Sequence, residues 1–164
     1  MPVAPFHFGP GGAIHAIAPR RVSFLAFCAA NVLIDVEPLY FMLTGQAHLH
    51  RFFHTYVGAT LMAAATVALF LAAQRLVAAW RWARLFSWRP PGLGAVVAGA
   101  ALGAWSHVLL DSVMHADITP LAPFSDANAL FRSVSLATLH WSCIACALTA
   151  VLAWGVRRVL ASSS

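Results

Sequence analysis

The sequence predicts an all-α bundle that crosses a membrane several times, and three observations carry that prediction. Hydrophobic residues make up 61% of the 164, charged residues only 9%, and mean hydropathy is +0.78. A soluble domain is about 25% charged. Apolar stretches near the ~20 residues that a spanning helix requires recur along the chain. Every cation is an Arg, and most stand at the ends of those stretches. The class is therefore one integral membrane domain over residues 1–164.

The elements follow in order. Residues 10–18, "PGGAIHAIA", make a short helix, and residues 22–34, "VSFLAFCAANVLI", make a second. The second is too short to span alone. It either continues past Pro38 through "LYFMLTG" or rises partway and breaks at "DVEP". If residues 8–18 and 22–34 form a hairpin that dips into the membrane and returns, Arg20 and Arg21 stand at its turn. Residues 53–80, 92–114 and 133–156 are long and apolar enough to span. About four spanning helices plus a short N-terminal re-entrant helix are expected. Gly99 and Gly103 form a small-xxx-small pair suited to close helix packing.

Formal charge is +5 and the pI about 10.1, which could point to nucleic acid. The placement of the arginines argues for topology instead. Arg20, Arg21, Arg75, Arg81, Arg84, Arg89, Arg157 and Arg158 fall on one side, and Arg51 and Arg132 on the other. The positive-inside rule puts the first set in the cytoplasm, with Trp80, Trp82 and Trp88 as an interfacial belt. The opposite face, with "GQAHLHRFFH" and "MHADITPLAPFSDANALF", points outward. The first 19 residues hold no Lys or Arg, so the charged start of a cleavable signal is missing. Cys28, Cys143 and Cys146 lie in apolar runs and read as small buried hydrophobes, with no disulfide framework.

The chemistry lies at the outer end. All five acids, Asp35, Glu37, Asp111, Asp117 and Asp126, fall there, with at least five of the eight His. Ionisable groups inside a membrane are costly and default to a functional reading. His107, Asp111 and His115 recur every fourth residue in "SHVLLDSVMH". Such positions share one helix face, roughly 6 Å apart along the axis. His107 and Asp111 can bind one metal ion, and His115 can reach a second. His50 and His54 repeat the spacing, and His140 is expected about two turns into the last helix, at a depth like that of His107. Asp35 and Glu37 arrive at the expected helix break, and the hairpin returns His7 to the same end. Asp126 reads as an N-cap of the last helix or a loop contact.

Imidazole with carboxylate suits a borderline divalent cation, zinc first, with manganese or iron as alternatives. The expected ligands are His7, Asp35, His50, His54, His107, Asp111, His115 and His140. Glu37 is a ligand or the general base that takes a proton from metal-activated water. Arg51 is placed to pair with a phosphate or carboxylate.

The motifs "FHFGPG", "LIDVEP", "HRFFHT" and "SHVLLDSVMHADITPLAPF" span roughly residues 5–142. Together they resemble the small inner-membrane proteins known as LexA-regulated, membrane-bound metal-dependent hydrolases. The ligand order His7, Asp35, His54, His107 with Asp111, His115, His140 is also similar to that of zinc-dependent phospholipase C. The last His-xxx-Glu of that pattern is missing, since residue 144 is Ile. The resemblance therefore implies one or two ions rather than three.

The expectation is a metal-dependent hydrolase in a bacterial inner membrane, with its site facing outward. Its substrate would be a phosphoester or other ester of a lipid-like amphiphile arriving through the bilayer, with no nucleic-acid partner. A homo-oligomer or larger complex is compatible with this. The alternative is a non-catalytic accessory subunit of a membrane complex with a structural metal site. Transport is disfavoured, because polar residues are nearly missing from the cytoplasmic halves of the long helices.

Overall fold

A computed structural model of the chain describes residues 4–79 and 90–163. Its helices are α1 (Ala4–Ile17), α2 (Phe24–Leu43), α3 (Tyr56–Ala79), α4 (Leu93–Met114) and α5 (Leu136–Ser162), with a 3₁₀ turn at Phe52–His54 before α3. No strand occurs among the described residues. Four helices, α2 to α5, are long and apolar enough to cross a membrane. The bundle is all-α and polytopic, as its composition predicts. The expected Trp80, Trp82 and Trp88 belt lies outside the described residues, as do Arg81, Arg84 and Arg89.

α1 has 14 residues, a length of about 21 Å. This is short of the ~30 Å hydrocarbon core. The chain turns at residues 18–23, where Nδ1 of His15 lies 2.7 Å from the Val22 carbonyl. The Ser23 hydroxyl caps α2 by accepting from the Ala26 amide at 3.2 Å. α1 and α2 therefore form the expected hairpin.

Of the two expected courses, the second segment takes the first: it continues past Pro38, and the break at "DVEP" does not occur. α2 is one continuous helix from Phe24 to Leu43 with Pro38 inside it. A proline costs its helix one amide donor, but the helix ends only at Thr44, whose amide bonds back to Tyr40. Asp35 and Glu37 thus project from a helix rather than from a turn. Two residues apart on a helix they face opposite ways, and this decides their different roles. The last helix starts at Leu136 with Ser135 as its N-cap, not Asp126, which is exposed in the preceding loop. His140 is consequently one turn into α5 rather than two.

The core is built of small residues. Ala26, Ala30, Ala59, Ala63, Ala100 and Ala104 meet Ile34, Val96 and Val108 where α2, α3 and α4 touch. Lipid tails are as apolar as side chains, so close backbone approach, not hydrophobicity, selects these residues. The Gly99–Gly103 pair is the sharpest case. A Cβ at Gly99 would sit 2.2 Å from the Ser23 carbonyl oxygen, and one at Gly103 would sit 2.4 Å from that of Phe27. Both obstacles are backbone, so α2 and α4 would have to part. Gly103→Leu is expected to destabilise the bundle by at least the ~1–3 kcal/mol typical of overpacking, read as a lower unfolding midpoint in detergent.

α5 packs mainly on α1 and barely touches α4. Its outer face, with Trp141, Leu148, Leu152 and Val159, is exposed.

Candidate metal centre

The helix directions bring one set of ends together. α2 and α4 deliver their C-terminal halves, α1 and α5 their N-terminal turns, and the 3₁₀ turn precedes α3. Asp111 on α4 stands at the middle and is fully buried. His7 Nε2 lies 3.2 Å from its Oδ1, and His107 Nε2 and His54 Nε2 lie 3.3 and 3.5 Å from its Oδ2. Asp35 approaches His107 Nε2 at 3.3 Å. His50 and His115 complete the cluster, with ring centroids 4.3 Å apart.

Two groups of ligand atoms emerge. Asp35, His54, His107 and Asp111 can each place one such atom within 4.8 Å of all the others, and so can His50, Asp111 and His115. Asp111 belongs to both. A buried His/Asp cluster of this kind could hold a metal ion, and a shared carboxylate could serve two.

The buried polar atoms support that fit. Nine buried side-chain nitrogen and oxygen atoms have no hydrogen-bond partner among the described residues. They belong to His7, Asp35, His50, His54, His107, Asp111 and His115 alone. Native proteins satisfy nearly all such groups, and each failure costs about 1–3 kcal/mol. Those of Asp35, His50, His54, His107, Asp111 and His115 fall within the two ligand groups, where a cation would give them a partner.

The imidazoles are also held from behind, which sets their tautomers. The Asn31 amide nitrogen donates to the Phe27 and Gly103 carbonyls at 2.9 and 3.2 Å. Its Oδ1 must then accept, and it lies 3.0 Å from His107 Nδ1. The proton of His107 therefore sits on Nδ1, leaving the Nε2 lone pair for the cluster. Asp117 does the same for His50, with carboxylate oxygens 2.9 and 3.0 Å from Nδ1. Asp117 is fixed in turn by the backbone amides of Leu49 and His50, which donate to it at 3.3 Å. Glu37 stands behind His54, 3.5 Å from Nδ1.

Outside the spans, the surroundings shift several groups. Burial pushes His50 and His115 below the ordinary imidazole range, which favours the neutral ligand form. At His54 burial pushes the same way, but the Asp111 and Glu37 carboxylates outweigh it and leave the group raised. Partial burial tends to raise Asp117, yet its contacts with His50 hold it below the usual carboxylate range.

Of the expected ligands, Asp35, His50, His54, His107, Asp111 and His115 fall in the two groups, and His7 belongs to neither but touches Asp111 at 3.2 Å. His140 does not join either group; its ring packs 4.8 Å from Phe6 in a neighbouring pocket. The general-base expectation for Glu37 needs correction. Its carboxylate accepts from the Arg51 amide at 3.0 Å and from the Phe53 amide at 3.0 and 3.1 Å. It sits one imidazole away from the ligand groups, where it orients His54 and its turn. Arg51 also faces elsewhere. Its guanidinium lies 3.7 Å over the Phe41 ring and donates to the His48 carbonyl and the Gln46 amide oxygen. The sequence reading missed Asn31. In the sequence it is a lone amide four residues before Asp35 in an apolar run, which by itself signals nothing.

No family model, curated protein or solved structure matches the chain.

Proposed function

We propose that the chain is a membrane-embedded, metal-dependent hydrolase acting on a phosphoester of a lipid-like amphiphile, in the manner of the LexA-regulated hydrolases its motifs resemble. The observation that carries this reading is the unequal pair of ligand groups. One has four residues and the other three, hinged on Asp111. Structural zinc sites close with four protein ligands, whereas catalytic ones keep a position open. The three-membered group supports catalysis over a structural staple.

The chain's own residues supply the rest. Asn31, Asp117 and Glu37 fix the three imidazoles in the orientation seen. A pocket of about 240 Å³ adjoins the cluster between α1, α4 and α5. Its walls include Phe6, Leu110, Met114 and Leu139, and its polar lining is His7, His115 and His140. An apolar tail with a polar head suits such a lining. His140, free of the ligand groups, is placed to contact the head. When bound, divalent ions of this kind activate water and polarise the ester oxygen. Zinc is the first choice for this nitrogen and oxygen set, with manganese or iron as alternatives. By the arginine distribution, the site faces away from the cytoplasm across a bacterial inner membrane.

The test is turnover of long-chain phosphomonoesters and phosphodiesters by purified protein, before and after chelation. Activity should fall by roughly 10³-fold on chelation, since metal stabilisation is worth several kcal/mol and each tenfold is ~1.4 kcal/mol. It should return with zinc, manganese or iron. His140→Ala should keep its metal and lose rate. Turnover indifferent to chelation would refute the proposal.

A further inference from the structure

The other end of the α1–α5 seam carries a second feature, remote from the acids. A cleft of about 510 Å³ runs between the two helices, lined by Gly9, Gly12, Phe24, Ala147, Val151 and Trp154 among others. It is almost wholly apolar. It reaches Pro19 and Arg157, which also line an adjoining cavity of about 530 Å³ walled by Arg20 and Arg21. The two spaces share Pro19 and Arg157, so the apolar cleft ends beside the cavity that Arg20, Arg21 and Arg157 line.

Among the described residues no acidic side chain pairs with those three charges. Asp35, Glu37, Asp111 and Asp117 make their contacts at the opposite end, and Asp126 lies in the loop there. Among the described residues Arg20, Arg21 and Arg157 form no ion pair. Arg158 turns aside, 4.5 Å over the Trp154 ring. A guanidinium recognises phosphate through paired N–H donors. The α1 and α5 axes run in the same direction here, with Gly9 against Cys143 and Gly12 against Ala150. From Ala147 to Arg157 the cleft follows α5 for about 15 Å, half of a ~30 Å hydrocarbon core. That is the depth of one leaflet.

We propose that this cleft is a binding site for an anionic phospholipid, its phosphate held by Arg20, Arg21 and Arg157 and one acyl chain lying between α1 and α5. The lipid is a resident ligand, not the substrate of the metal centre, and the inference does not depend on the hydrolytic reading. Charge complementarity selects an anionic headgroup over a zwitterionic one, and the apolar channel selects a lipid over free phosphate.

The test is native mass spectrometry of the full chain released from nanodiscs containing equal phosphatidylglycerol and phosphatidylcholine. Wild type is expected to retain one phosphatidylglycerol with at least tenfold preference. Millimolar inorganic phosphate should not displace it. Arg20→Gln/Arg21→Gln/Arg157→Gln should lose the preference. Ala147→Phe, which keeps every charge and fills the channel, should lose the lipid. Equal retention of the two lipids overturns the proposal. So does displacement by phosphate, or an Ala147→Phe protein that still holds its lipid. A lipid-free dimer that Ala147→Phe dissociates would show that a second copy covers the cleft instead.

Discussion

Asp111→Ala is expected to empty the metal centre completely, while loss of a single imidazole should empty only part of it. Asp111 alone belongs to both ligand groups. Removing it leaves Asp35, His54 and His107 on one side and only His50 and His115 on the other. His107→Ala spares the three-membered group, and His50→Ala spares the four-membered one. Metal per chain, measured by mass spectrometry on untagged protein, should fall from about two to about one in each His variant and to near zero in Asp111→Ala. Ligand loss should weaken binding by more than the 10–100-fold typical of outer-shell changes. Hydrolysis should vanish in Asp111→Ala and in His107→Ala, with the helical signal retained. Loading should also depend on pH in a fixed direction. His54 is raised by its carboxylate neighbours, so the metal-free cluster keeps a proton there to higher pH. A metal must displace that proton. Apparent affinity should therefore increase as pH rises through the His54 titration, with proton release on loading. Equal metal in wild type and Asp111→Ala would remove the basis for the whole site.

Asn31→Leu should act almost as strongly without touching a ligand atom. Leu carries the same number of side-chain heavy atoms, branched at the same carbon as Asn, so the helical signal should be retained. His107 would lose the acceptor on Nδ1, and with it the tautomer that aims the Nε2 lone pair at Asp35 and Asp111. A 10–100-fold loss of metal affinity is expected, the range for an outer-shell partner. Asn31→Asp keeps an acceptor and should recover much of the loss. If Asn31→Leu binds metal like wild type, His107 is oriented by something other than Asn31.

Most of the candidate centre was legible because its residues are out of place in their own segments. An Asp and two His at four-residue spacing in "SHVLLDSVMH" have no ordinary role in a membrane helix. The hairpin that returns His7 followed from segment lengths and the paired Arg20 and Arg21. What stayed hidden depended on rotation about a helix axis. Glu37 looked like a second carboxylate of the site, because "DVEP" suggested a break that would free both side chains. On the continuous α2, Asp35 faces His107 while Glu37 faces the turn at residues 51–54. Asn31 was hidden for a different reason. One amide in an apolar run is unremarkable until its nitrogen is seen bound to two carbonyls, which leaves its oxygen nothing to do but accept.

The seam between α1 and α5 has a consequence for biosynthesis. α1 is translated before the other described helices, yet its most extensive packing is against Leu136–Ser162. At about 21 Å it is too short to settle across the bilayer by itself. Until Leu136–Ser162 has been translated and inserted, α1 has α2 and a smaller contact with α4 as its neighbours. His7, the first of the cluster's imidazoles to be synthesised, thus gains its full set of neighbours only when Leu136–Ser162 is in place. A chain truncated before Leu136 would retain the α2, α3 and α4 ligands and lack the wall that holds His7 over Asp111.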